Sequence, residues 1–321
     1  MENIAKIKNL EVEYHSKNDV LGHEVVIKAV NDVSLDIKKG EIISIAGESG
    51  CGKSTFAKAL MKLVDIKSGK IIIDNKNLLN LKKQKELKDF YKKVQMIFQN
   101  PYASLNPKMK IGQILSEPLE INTTLKKDEI LKIVKEKIKK VGLDESCLEL
   151  YPHEFSGGQR QRIAIARTLM LSPEFIIADE PVSALDVSIQ AQIINLLKEL
   201  KEDYNLTFLF ISHDLSVIKY LSDRIAIMYL GEIVELGTTD EIFNDTKHPY
   251  TKALLSSVPE LNNQEKKERI VLQGELPSPE NLPQGCKFHT RCPHVMDKCK
   301  NQTPHPTAFS PTHSCKCFLY E

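Results

Sequence analysis

No apolar run in the 321-residue sequence approaches the ~20 residues that a membrane-spanning helix needs, so the chain reads as one that does not itself cross a bilayer. Its N-terminus, Met-Glu-Asn-Ile-Ala-Lys, has no signal-peptide character. Net charge is nearly absent: 44 Lys and Arg stand against 43 Asp and Glu, giving +1. No global field and no basic stripe therefore point to nucleic acid. The Lys-rich stretch from Leu125 to Lys140 is expected to be a solvated helix face. Short internal repeats are missing too. Cysteine is scarce until late, with only Cys51 and Cys147 ahead of residue 286, and Cys147 reads as a buried or semi-buried thiol. The remaining five, Cys286, Cys292, Cys299, Cys315 and Cys317, crowd the last 36 residues. In a cytosolic chain such crowding suggests metal binding rather than disulfides. The C-x2-C pair of a zinc ribbon is not among their spacings.

The apolar fraction of 41% and charged fraction of 27% suit a soluble globular chain with a core-forming domain and an appendage. Within it stands Gly47-Glu48-Ser49-Gly50-Cys51-Gly52-Lys53-Ser54-Thr55, a complete G-x-x-x-x-G-K-S phosphate loop. It follows the apolar run Ile42–Ala46, suited to a buried parallel strand, and precedes a segment of helical character. Backbone N–H groups at that helix start would face phosphates. Lys53 would reach the β- and γ-phosphates, and the Ser54 hydroxyl would ligate Mg2+. A second apolar strand, from Phe175, ends in Asp179 and Glu180. Asp179 is placed to hold the Mg2+ shell, and Glu180 to polarise the attacking water as general base.

Ser156-Gly157-Gly158-Gln159 opens another helical segment and offers a second anion site at a helix N-terminus. Six such elements occur in a fixed order: the phosphate loop, Gln99, Phe155–Gln159, Phe175–Glu180, Ser183-Ala-Leu-Asp186 and His213. In this the chain resembles the ATP-binding subunits of ABC transporters over nearly its whole length. The resemblance implies an α/β phosphate-loop ATPase with an N-terminal antiparallel β-subdomain and a helical subdomain inserted at about residues 100–155. It implies that Gln99 contacts Mg2+ and water, that His213 contacts the γ-phosphate, and that Tyr14 stacks on adenine. Asp186 would lie in the loop crossing a dimer interface. The signature at Ser156–Gln159 would face ATP held by a second subunit, leaving one chain nearly inactive alone.

Lys247-His-Pro-Tyr-Thr-Lys-Ala-Leu-Leu255, Pro277-Ser-Pro and Gly285-Cys-Lys-Phe-His-Thr-Arg-Cys-Pro293 resemble the C-terminal region of oligopeptide, dipeptide and nickel importers. Asn100–Pro107 and Pro181–Gln192 look most like the F-type subunit of that family. The implied organisation is an ATPase domain over residues 1–258 and a small Cys-rich appendage over 259–321. The implied partners are a paralogous D-type ATPase, two membrane permease subunits touched by the segment after Gln99, and an external peptide-binding protein. The implied place is the cytoplasmic face of a prokaryotic membrane. Nickel or another solute, or a soluble ABC ATPase without a transport role, are the alternative readings. The resemblance also implies a [4Fe–4S] cluster on Cys286, Cys292, Cys299 and Cys317, with zinc as the alternative. In chains of the family it resembles a His stands four residues before the last cysteine, as His313 does before Cys317, so the resemblance favours Cys317 over Cys315. Since the appendage lies outside the ATP motifs in sequence, its expected role is structural or redox-sensing.

Overall fold

In Leu10-Glu-Val-Glu-Tyr14, apolar and polar residues alternate, and the backbone extends with Leu10 and Val12 fully buried. This segment belongs to β1 (Asn3–Lys17), which pairs antiparallel with β2 (Glu24–Lys38) on one side and β4 (Ser68–Ile73) on the other. With the short β5 (Lys76–Asn77) they make a four-stranded antiparallel sheet in the order β2-β1-β4-β5. The computed structural model describes residues 2–17, 24–100, 104–258 and 270–321. Residues 101–103, in the segment expected to touch a membrane subunit, and residues 259–269, where the appendage is expected to begin, lie outside the described residues.

The chain forms two compact units, Met1–Leu79 with Ser212–Glu321, and Asn80–Ile211. The first unit carries the antiparallel sheet and five further strands. These are β3 (Ile42–Ala46), β9 (Arg224–Tyr229), β10 (Glu232–Thr238), β11 (Pro306–Ala308) and β12 (Ser314–Lys316), running β11-β12-β10-β9-β3. β3 and β9 are parallel, and the other pairs are antiparallel. A glycine turn joins β9 and β10. Leu230 and Gly231 both take positive φ there, 43° and 83°, as a tight hairpin connection requires. Against β9 packs an apolar core that includes Ile227, Tyr229, Tyr250 and Phe288, all buried.

The second unit holds β6 (Val94–Ile97), β7 (Phe175–Asp179) and β8 (Thr207–Ile211), parallel and in the order β8-β7-β6. Every residue of β7 and β8 is buried, as expected of strands covered on both faces. Its helices include Ile111–Asn122, Lys127–Lys140, Gly157–Leu169 and Val187–Tyr204. Pro118 lies inside the helix Ile111–Asn122, and its carbonyl accepts from the Asn122 amide at 2.9 Å. One local expectation needs correction: the Lys-rich helix is not wholly solvated. Lys137 is buried, with Nζ 3.1 Å from the Tyr204 hydroxyl and 4.3 Å from the centre of its ring, so the long apolar stem packs while the ammonium keeps partners.

Candidate functional site: a phosphate loop and its acidic counterparts

The wholly buried β3 delivers the chain into the loop Gly47–Ser54, and the helix Lys53–Leu60 leaves it. Close packing explains two of the glycines. A Cβ on Gly47 would stand 2.2 Å from the Met228 carbonyl oxygen, and one on Gly52 2.1 Å from that of Ala29. Gly52 also has φ of +104°, which side-chain-bearing residues rarely adopt. The Gly231 N–H donates to the Cys51 carbonyl at 2.9 Å, tying the loop to the β9–β10 turn. Lys53 is buried, and Nζ donates to the carbonyls of Gly47 and Glu48, both at 2.8 Å. The ammonium is thus seated on the loop's own backbone. Cys51 lies buried beneath it, and burial raises its thiol pKa against the opposing pull of Lys53. Ser49 and Gly50 are exposed, while Ser54 and Thr55 are half-buried at the helix start. The Tyr14 hydroxyl stands 3.5 Å from Thr55 Oγ1, with its ring partly exposed above that helix start.

In the second unit, β7 ends in the buried Asp179, and Glu180 follows with φ of 45°. That angle costs a residue with a side chain roughly 1–3 kcal/mol and persists only where the surroundings impose it. Here the Glu180 N–H donates to the Ile211 carbonyl at 3.0 Å, and its carbonyl accepts from Ser183 Oγ at 3.1 Å. The side chain meets Gln99, whose Nε2 donates to Glu180 Oε2 at 2.9 Å. Two residues 81 positions apart, both picked out from the sequence for water activation, are therefore hydrogen-bonded partners.

The signature segment caps the helix Gly157–Leu169 reciprocally. Ser156 Oγ accepts from the Gln159 N–H at 3.3 Å, and Gln159 Oε1 accepts from the Ser156 N–H at 3.0 Å. A Cβ on Gly158 would approach Ile189 Cγ2 to 2.5 Å, so this helix start lies close to the helix Val187–Tyr204. Asp186, exposed, is the N-cap residue of that second helix, and Val187 beside it is 82% exposed. His213, in the first unit with the phosphate loop, is exposed at the end of the turn after β8. Gln99, Asp179, Glu180, the signature and Asp186 all belong to the second unit.

The Cys-rich segment departs from expectation in one respect: it reaches the phosphate loop. Arg291 grips the Glu48 carboxylate with both Nη atoms, at 2.7 and 3.1 Å. The Glu48 N–H donates to the Tyr250 hydroxyl at 2.9 Å. Sequence reading passed over both residues. The only available signal was a lone arginine before Cys292, and no spacing rule links it to a loop 243 positions away. All seven cysteines are unpaired thiols. Burial pushes the Cys286 thiol up to about 12, with the neighbouring Cys299, Cys317 and Cys292 thiols adding to the effect. Burial likewise raises the Cys292 and Cys317 thiols. Burial raises the Cys315 thiol too, and Cys315 sits across from Glu235 in the β10–β12 ladder. Among the described residues, no three His, Cys, Asp or Glu side chains converge closely enough to hold a metal ion. His313 is engaged elsewhere, with Nε2 2.9 Å from the buried Glu235 carboxylate.

Comparison with known proteins fits this geometry. Residues 30–183 match the ABC transporter family, and residues 234–299 match the oligopeptide/dipeptide transporter C-terminal region. Among solved structures, the ATP-binding cassette MJ0796 in a dimeric post-hydrolysis state bound to ADP and Pi aligns with a TM-score of 0.65 and 32% identity. That alignment covers 73% of this chain and 98% of MJ0796. The class is thus an ABC-type ATPase. The oligopeptide transport ATP-binding protein AppF of Bacillus subtilis (strain 168) is 49% identical over 322 residues, 99% of this chain and 98% of AppF. The dipeptide transport ATP-binding protein DppF of Escherichia coli (strain K12) is 48% identical over 296 residues, 92% of this chain and 88% of DppF. The chain belongs to this family of oligopeptide and dipeptide transport ATP-binding proteins of ABC transporters. Among the described residues, no helix is long and apolar enough to cross a membrane.

Proposed function

We propose that this protein is the ATP-hydrolysing subunit that energises import of oligopeptides or dipeptides through an ABC transporter. The hydrogen bond between Gln99, after β6, and Glu180, after β7, carries the hydrolytic half of the reading, because it joins an amide to a candidate base. Likeness to peptide-transport subunits over 99% of the chain supports the substrate class.

In this reading the amides of Gly50 to Thr55 cradle the phosphates, and Lys53 adds the positive charge. Tyr14 stacks on adenine. The Ser54 hydroxyl and the Asp179 carboxylate are the hard oxygen donors that suit Mg2+, which would neutralise charge on the phosphates. Glu180 takes the proton from the attacking water, Gln99 orients both, and His213 contacts the γ-phosphate. Ser156–Gln159 and Asp186 serve a nucleotide held by a second ATPase subunit, for which a paralogous D-type chain is the partner. Two permease subunits embed the machine, an external peptide-binding protein feeds it, and this chain lies at the cytoplasmic membrane face. Residues 1–258 form the ATPase domain, helices within about 100–155 its helical subdomain, and 259–321 the appendage.

The four cysteines Cys286, Cys292, Cys299 and Cys317, crowded in sequence and unpaired, are the donors that would suit a [4Fe–4S] centre there, since thiolates favour iron–sulfur chemistry. Anaerobic purification should then give brown protein with about four irons per chain, and Cys317→Ser should lose them while Cys315→Ser keeps them. Colourless protein with stoichiometric zinc would contradict the cluster.

The function is tested by reconstituting the co-expressed complex in proteoliposomes. ATP-dependent uptake of short peptides is expected. Uptake of nickel or another solute, with none of peptide, would contradict the substrate class and leave the ATPase assignment standing.

A further inference from the structure

Glu48 is the second residue of the phosphate loop, and each of its polar groups is engaged. Its carboxylate takes the bidentate grip of Arg291, its N–H donates to the Tyr250 hydroxyl, and its carbonyl accepts from Lys53 Nζ. Two of these three anchors come from beyond residue 249, outside every ATP motif. Their placement is rigid. The Tyr250, Tyr229 and Phe288 rings pack together with centroids 4.6 to 5.4 Å apart, and the Arg291 N–H donates to the Phe288 carbonyl at 3.0 Å. The Arg291 side chain is only 9% exposed. The buried Tyr229 hydroxyl feels the guanidinium, although neither it nor Arg291 Nε completes a hydrogen bond of ordinary geometry.

This arrangement bears on nucleotide binding through Lys53. Its ammonium rests on the carbonyls of Gly47 and Glu48, so the orientation of those two peptides fixes where the phosphate-binding charge lies. Bidentate arginine–carboxylate pairing fixes orientation as well as distance, which a single ammonium cannot do. We propose that Arg291 is a positioning residue for nucleotide binding: by holding Glu48, it lets the Cys-rich segment set the geometry of the phosphate loop and of Lys53. The proposal rests on the ATPase reading above and extends it by making the appendage part of the nucleotide site's support.

The test is a double-mutant cycle on the full chain, read as the dissociation constant for Mg-ATP alongside the melting temperature. Arg291→Ala should weaken Mg-ATP binding by about tenfold, the usual scale of coupling between neighbouring elements. Arg291→Lys should recover only part of the loss. Glu48→Ala should also weaken binding, and adding Arg291→Ala to it should cost nothing more, because the pair acts as a unit. If Arg291→Ala fails to fold, Arg291→Lys and Glu48→Gln carry the same comparison. A lowered melting temperature with unchanged Mg-ATP affinity would make the pair a packing staple and overturn the proposal. Additive losses in the cycle would also overturn it. Failure of the unmutated chain to bind Mg-ATP would instead strike the ATPase reading itself.

Discussion

His248 Nδ1 accepts the Tyr250 N–H at 3.1 Å, so this imidazole caps the helix Pro249–Ser256 and must keep Nδ1 unprotonated to do so. Burial agrees with that tautomer: it lowers the pKa from 6.5 to about 4, against the pull of Glu235 and of a hydrogen bond to the Lys316 carbonyl. The sign follows directly. Above pH 6.5 the ring is neutral in both folded and unfolded chains, and stability is complete. Below it the unfolded chain takes up a proton that the folded one refuses, so about 3 kcal/mol drains away between pH 6.5 and 4. Melting temperature followed from pH 7.5 to 4.5 should therefore fall less steeply in His248→Asn, which retains a capping oxygen. Identical slopes in both proteins would contradict this.

Lys53→Ala should abolish measurable Mg-ATP binding, because the loop loses its principal cation. Gly52→Ala should do nearly the same for a different reason: its Cβ meets the Ala29 carbonyl oxygen at 2.1 Å, and its φ is +104°. Melting temperature should fall in both variants, since Lys53 is buried and its Nζ holds two loop carbonyls. Nucleotide titration of the purified variants checks both.

On the proposal that Ser156–Gln159 and Asp186 serve a nucleotide held by a second subunit, one chain should not be self-sufficient. The purified chain should hydrolyse ATP weakly, with a specific rate that falls on dilution and rises when a D-type partner is added. A strong rate, proportional to protein concentration and unchanged on dilution, would show that one chain is enough.

The ATP motifs were legible because each depends on local chemistry. Glycines permit close backbone approach, a helix start follows a buried strand, and acids end an apolar run. The hairpin at Leu230-Gly231 and the strands Ile42–Ala46 and Phe175–Asp179 could be read in the same way. The Arg291–Glu48 pair could not, because long-range ion pairs leave no periodicity in a sequence. The appendage lies outside the ATP motifs in sequence, yet its Arg291 meets Glu48 of the phosphate loop in space. Lys137 misleads for a related cause: tertiary packing overrides the local preference of a lysine for solvent.

The most direct measurement is ATP turnover by the assembled transporter carrying Glu180→Gln. The amide keeps the shape and can still meet Gln99, but it cannot accept the proton from water. Mg-ATP should bind at near-normal affinity, the ATPase dimer should stay closed on it, and hydrolysis should slow by at least about a hundredfold. Near-normal turnover would mean that Glu180 is not the base, and the assignment built on its contact with Gln99 would fall.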